Sequence, residues 1–558
     1  MKSRVVLAVP ALAAGIAICG LALWAQGSAN QDPVFGAMQA ELARSMTLSL
    51  KDLDRPYFVS YAIDDGKTWT ATAVDGGLVN ARGDRFRSPA VQVRVGDYKF
   101  DNTNGPGGRG RGASYNLGGF PLDDDPAVIR QYLWLETDSA YKGAVQAIAQ
   151  KRATQRSVNV GDQLPDFAPA KPFTLTEQRP LIAFDDKTWN DRIRRVSLVF
   201  TQFPNLRDSV VTYSVSDGVH RYVNSEGTQI RQTQSDVRIQ LGANVQSSDG
   251  MILRDSASFY RLDVKKMPSE EDLTKAARGV AEQLTKLAAA PMGDAYSGPI
   301  LFEGVASAQL MAELLGRNLH MTRPAGLAGR GGRGAPLGRG GATELQGRRG
   351  VRIMPDMFNV VDDPTLDMFG HTDVDNEGVP SKPVSLVEKG VLKDFLRTRL
   401  PMQGFPESNG RALLGNSPAP TNLIVTTSEK SPLADMRKKL IDLCAQRTLP
   451  YGILVRKLDF PSGGAQGGVS PPLYVYRVYA DGHEEMIRGV RLRGVDARSL
   501  KDILLAGDDS TTLDYIEGGA ADVSVVAPSI LVDDLELEKV SDTLPKLPVA
   551  PSPLLSQQ

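Results

Sequence analysis

The chain has 558 residues, 41% of them apolar, and a formal net charge of −1. This composition is globular and excludes a chain that is disordered throughout, while the near-neutral balance argues against a dedicated nucleic-acid binder. With two Cys and four His in all, a disulfide framework and a Cys-rich zinc module are both excluded. Any imidazole-based metal site has to draw on His220, His320, His371 and His483.

At roughly 150 residues per domain the length suggests three or four domains. Met1-Lys2-Ser3-Arg4 precedes an uncharged apolar run from Val5 to Ala25, the pattern of an export signal over 1–29. Small residues at Ala25, Gly27 and Ala29 suit cleavage. The run is also just long enough to span a bilayer, so an uncleaved N-terminal anchor is the alternative. Export implies a periplasmic location. Cleavage would leave Cys444 as the one thiol.

Asp32-Pro33 starts a helix over 33–47, with Val34, Met38 and Leu42 on one face. After Pro56 the pattern turns to strands at 57–63, 68–74 and 91–100, where Val91, Val93 and Val95 alternate with polar residues. A helical pattern returns at 126–155. The polar, proline-bearing stretch 156–188 reads as a boundary. Strands are expected at Val196–Phe200, Val210–Val215, Arg221–Asn224 and Thr228–Gln234, with a turn at Asn224-Ser225-Glu226-Gly227. A helix at 269–290 leads to the last part, beginning at Gly298-Pro299. Residues 326–350 are Gly- and Arg-rich, too poor in apolar surface to offset ordering, and are expected to form a mobile loop. A smaller Gly/Arg patch lies at 105–112. Helices are expected at 431–446 and 497–504, and a disordered tail at 544–558.

Val360-Val361-Asp362-Asp363-Pro364-Thr365-Leu366 is followed by Asp375-Asn376-Glu377-Gly378-Val379-Pro380 and by Val387-Glu388-Lys389-Gly390-Val391-Leu392-Lys393. Upstream lies Tyr222-Val223-Asn224-Ser225-Glu226-Gly227-Thr228, and downstream Val526-Ala527-Pro528-Ser529 through Leu537. In order along the chain, these segments resemble the TldD/PmbA family of modulator-of-DNA-gyrase-type metallopeptidases, the upstream one its middle-domain stretch and the downstream one its closing strand. The resemblance implies a multi-domain α+β fold with an N-terminal α+β domain at 33–165, a middle domain at 186–292 and a β-rich C-terminal domain at 298–540. It implies unfolded or flexible peptides as substrates. It also implies a dimer, either of this chain or with a metal-bearing homologue.

The family's active subunits carry His-Glu-x-x-x-His on a helix after a Gly-Pro-led strand, with a Cys near the C-terminus as third zinc ligand. Here the strand is Gly298–Gly304 and the helix is read as Val305–Leu319. The motif reads Ala312-Glu313-Leu314-Leu315-Gly316-Arg317. Ala312 and Arg317 stand at the two ligand positions, and a methyl and a permanent cation hold no zinc. Glu313 alone is retained, as the residue in the catalytic position. Glu517–Asp522, where the family has its Cys, contains none, and Cys444 reads as a buried core thiol. Arg317 is read as substituting in part for the missing metal charge beside Glu313; the alternative is a solvated i, i+4 pair.

Of the remaining histidines, His320 and the His371/Asp373/Asp375/Glu377 cluster read as structural, the latter because its calcium-loop spacing fails at Val384. His220 and His483 read as flanking turns. The sequence therefore implies an exported family member without catalytic zinc, needing no cofactor, that binds peptide as a non-catalytic subunit. Two alternatives stay open. One is an active metallopeptidase using zinc through unconventional ligands. The other is a binding module using the Gly/Arg loop; no aromatic residue interleaves the arginines there, so nucleic acid is not an expected partner. Membrane contact is expected only if the N-terminal segment stays uncleaved.

Overall fold

The computed structural model describes residues 32–105, 119–157, 164–177, 185–321, 323, 343–460 and 468–540. The export segment at 1–29, most of both Gly/Arg stretches and the tail at 544–558 lie outside these residues. No helix among them is long and apolar enough to cross a membrane.

Helix α1 spans Pro33–Ser45, and Asp32 caps it by accepting the Phe35 N–H at 3.0 Å. Two long strands follow, β1 (Pro56–Val74) and β2 (Gly77–Val95), joined at Asp75-Gly76. They are continuous through 64–67 and 77–90, where no strand was expected, because the polar residues there sit on an extended ribbon. Helix α2 (Pro126–Ser157) packs with α1 over Tyr61, Ile63 and Val93.

Beyond β3 (Thr174–Thr176), helix α3 runs over Asp186–Ser197. A 3-10 turn continues it through Leu198–Gln202, so the strand expected at Val196–Phe200 is helical. Val196 and Phe200 lie four apart and bury the same helical face. Strands β4 (Leu206–Asn224), β5 (Gln229–Gln246) and β6 (Ile252–Arg261) complete one six-stranded sheet, ordered β2-β1-β4-β5-β3 with β6 on β5. This sheet runs across the expected boundary at 165–186, because β1 pairs with β4 from Ser60↔Asn224 to Ala73↔Val211. At its centre Gly66 faces Gly218, and a Cβ on Gly66 would stand 2.5 Å from the Asp217 carbonyl oxygen. Helix α4 (Glu270–Ala289), capped by Ser269, packs with α3 on Val211, Tyr213 and Ile239.

Side chains alternate along these strands. Tyr61, Ile63 and Val223 turn toward α1 and α2. Asp64, His220, Tyr222 and Gln232 therefore occupy the opposite face, which looks onto the C-terminal part.

That part holds two further sheets. One is ordered β10-β9-β8-β13-β20-β19 and the other β16-β15-β14-β7-β21-β17, with β18 on β21. The first comprises β8 (Phe358–Asp362), β9 (Val384–Glu388), β10 (Val391–Leu392), β13 (Asn422–Thr427), β19 (Thr511–Glu517) and β20 (Ala521–Ala527). The second comprises β7 (Tyr296–Phe302), β14 (Gly452–Leu458), β15 (Pro472–Val478), β16 (Glu484–Ile487), β17 (Val490–Arg493), β18 (Ile503–Ala506) and β21 (Ile530–Lys539). A small hairpin, β11 (Ala412–Leu414) and β12 (Ser417–Pro418), stands apart. Helix α5 (Val305–Met311) is buried on every side, sharing one core with Ile300 and Phe302 of β7 and Val523 and Val525 of β20. Helix α6 (Leu433–Gln446) covers the outer face of β7 and β14, and Cys444 packs there against Leu301 and Leu454. The helix expected at 497–504 is a 3-10 turn, Ala497–Asp502, leading into β18. Residues 343–350 are not part of a mobile loop, because Leu345 is buried in the main core and the Glu344 carboxylate accepts the Ala497 N–H at 2.8 Å.

Candidate functional site

Helix α5 does not continue to Leu319 as the spacing suggested. At Ala312 it widens into one π-helical turn, Ala312–Gly316, and then ends. Such turns interrupt the i→i−4 ladder and reorient the side chains they carry. Ala312 sits in the core, and Glu313 is buried inside the protein. The pair is solvated on one side only, since the Glu313 side chain is 1% exposed and that of Arg317 40%.

Both oxygens of Glu313 are engaged. Oε2 accepts the Ser470 N–H at 2.7 Å, and Oε1 accepts the Ser470 hydroxyl at 2.7 Å. Arg317 Nη2 stands 3.3 Å from Oε1. The strand pair β19–β20 closes the site from the other side. Its alternation turns Tyr515 and Glu517 toward α5, with Glu517 paired across the ladder to Ala521. Burial pushes the Tyr515 phenol up, and the Glu517 charge adds to that. Burial likewise raises Glu517, against the pull of Arg317. The site thus holds two carboxylates near one guanidinium, which pairs with Glu313 and acts on Glu517 by its charge, with a serine bonded to Glu313 and a tyrosine beside Glu517.

The segment Glu517–Asp522, expected to lie where the third ligand belongs, does border Glu313 and Arg317. Ala312, Glu313 and Arg317 are brought together with it, and Cys444 is not; burial raises its thiol beneath α6. His320 lies beyond the π turn, bridged to Leu396, where burial lowers its pKa. Reading the motif did not single out Ser470. It follows a glycine-rich stretch, and nothing in its neighbours marks it as a partner for Glu313.

A zinc site needs imidazole, thiolate or carboxylate donors converging on one point. Ala312 donates nothing, Arg317 is cationic, and Glu313 is spent on Ser470. No group of three His, Cys, Asp or Glu among the described residues could hold a metal ion. The residues present do not fit zinc.

The acidic turn at 371–377 is a separate structure. Asp375 accepts the N–H groups of Glu377, Val379 and Ala412 at 2.9–3.0 Å, which fixes the turn. Glu377 Oε2 accepts the Arg399 N–H at 2.7 Å. Arg399 is buried and donates to Glu226 at 2.6 Å and to the Ala168 carbonyl, so the turn docks onto the first sheet. Burial and the neighbouring Asp375 push Glu377 up. His371 is 4.0 Å from Asp373. His220 does not flank a turn: it lies within β4, opposite Asp64 of β1, with Nδ1 2.6 Å from the carboxylate. His483 pairs with Asp481 at 2.6 Å and stacks on Tyr479.

Residues 298–539 match the family model described as the PmbA/TldA metallopeptidase C-terminal domain. Fold and domain match together define a multi-domain α+β protein with a metallopeptidase-like C-terminal domain. The chain is 26% identical over 225 residues to a metalloprotease of Methanothermobacter thermautotrophicus, a match that covers 38% of this chain and 45% of the relative. The matched stretch thus spans less than half of that curated relative. Among solved structures, a proposed modulator of a DNA gyrase from Thermotoga maritima superposes with a TM-score of 0.56 at 15% identity, covering 86% of this chain and 96% of that one. TldE from Thermococcus kodakarensis gives 0.55 at 13%, covering 90% of this chain and all of that one. The structural likenesses carry the fold. The domain match shows that residues 298–539 form a C-terminal domain of the PmbA/TldA metallopeptidase type.

Proposed function

We propose that this chain is an exported TldD/PmbA homologue that binds flexible peptides as a non-catalytic subunit and works without catalytic zinc. The observation that carries this reading is the state of Glu313. A general base in a zinc hydrolase needs a free lone pair facing a metal-bound water. Glu313 is instead held by Ser470 from both sides and by Arg317, an arrangement suited to holding the end of α5 in place. In this reading the family's peptide cleft is kept, while the hydrolytic step falls to a metal-bearing partner subunit. The basic n-region and apolar run at 1–25 support export.

The test is binding without cleavage. A labelled, unstructured peptide incubated with the full chain binds saturably and is recovered intact. Cleavage that is lost on chelation and also lost in Glu313→Gln sinks the proposal, and supports the unconventional-ligand alternative.

A further inference from the structure

The face of the first sheet opposite α1 and α2 borders a cavity of about 560 Å³, closed by the acidic turn and by the Ala520–Asp522 end of the β19–β20 pair. Five carboxylates line it, those of Asp64, Glu177, Asp236, Asp373 and Asp522, against one guanidinium, Arg238. Arg238 pairs with Asp236 through one nitrogen, and both Asp236 Oδ1 and Arg238 Nε remain buried without a hydrogen-bond partner among the described residues. Asp522 faces the charge of Asp236, with Arg238 pulling the other way. Gln232 lies directly across the ladder from His220 and is 8% exposed. Its amide borders the cavity and has no partner among the described residues.

A buried carboxylate oxygen without a partner leaves a desolvation cost uncompensated. Here that oxygen and the unpartnered Gln232 amide border one negative cavity, and a group with several N–H donors and a positive charge would satisfy them together. A metal ion is the poorer occupant, since no three of these acids and imidazoles could hold one. Burial, then the charge of Asp236, pushes Asp522 up to about 7, as expected of a carboxylate facing another with too little counter-charge.

We propose that this cavity is a subsite for a cationic side chain of the bound peptide, an arginine guanidinium or a lysine ammonium. The assignment rests on the peptide-binding reading above and narrows it to peptides bearing a basic residue. The same strand pair carries Glu517 toward Arg317 on one face and Asp522 toward the cavity on the other, so the subsite lies next to the α5 site.

The test uses the full chain and two labelled flexible peptides, one with a single arginine and one with citrulline in its place, titrated by fluorescence anisotropy. The arginine peptide binds tighter by about tenfold or more, the scale of a desolvated charge-assisted contact. Asp522→Asn and Asp236→Asn each shrink that preference for arginine over citrulline. Equal binding of the two peptides overturns the subsite and leaves the peptide-binding reading standing. Binding of neither overturns both. Spermidine that binds as tightly as the arginine peptide overturns the side-chain assignment in favour of a free polycation.

Discussion

At the residue scale the structure turns on Glu313 and what surrounds it. A buried carboxylate is tolerated only when it is hydrogen-bonded and paired, and Ser470 and Arg317 meet that condition. Arg317→Ala would leave Glu313 buried without its cation. Arg317 is 40% exposed, so solvent screens the pair and the expected loss is modest, about 1–2 kcal/mol by chemical denaturation. Adding Glu313→Gln to that variant recovers part of the loss, because the uncompensated charge is gone. A double mutant as unstable as the sum of the singles would show that the two groups do not interact. The sequence made Ala312, Glu313 and Arg317 legible because a family motif fixes their spacing. It could not show that Glu313 is buried, because burial depends on β19, β20 and Ser470, which lie more than 150 residues away.

At the element scale two features invite measurement. The first is the Gly66–Gly218 crossing of β1 and β4, where the backbones approach too closely for a side chain. Gly66→Ala forces the strands apart and is expected to cost about 1–3 kcal/mol, the range for overpacking. A melting temperature unchanged by that substitution would show that the ribbons can shift without loss. The second is the acidic turn. Glu377 has its pKa raised by burial and by Asp375, so the folded state holds a proton that the unfolded chain releases. Stability therefore falls as pH rises from the ordinary carboxylate range toward neutrality. Glu377→Gln flattens that slope, as measured by unfolding free energy at a series of pH values; an equal slope in the variant would place the titration elsewhere. Helices α1, α2, α4 and α6 were legible from caps and apolar spacing. The middle of β1, most of β2 and the helical Val196–Phe200 were not, since polar ribbon residues hide a strand and a short apolar run fits either period.

At the scale of the whole molecule, sheet continuity matters more than segment boundaries. The first sheet draws strands from both sides of the polar stretch at 156–188, and its open face, not its helical face, meets the C-terminal part. Among the ion pairs that join the two parts are Arg399 to Glu226, Lys457 to Asp255, and Arg261 to Asp514. Lys457 and the Tyr474 hydroxyl both converge on buried Asp255. Asp255→Ala strands both donors and is expected to cost about 3 kcal/mol, the scale for breaking a buried pair. A calorimetric scan would register this as a lower transition temperature, and no change would show that the two parts dock by apolar contact alone. Sheet order was beyond the sequence, because the pairing of β1 with β4 joins residues some 150 positions apart.

The central claim is that a metallopeptidase-type C-terminal domain here lacks a zinc donor set. Metal content measured on the purified full-length chain, alone and with any homologue that co-purifies, tests it most directly. The account predicts zinc far below one ion per chain in the protein alone, with any stoichiometric zinc tracking the homologue. Near-stoichiometric zinc in this chain by itself, removed by a chelator together with peptide cleavage, would contradict it.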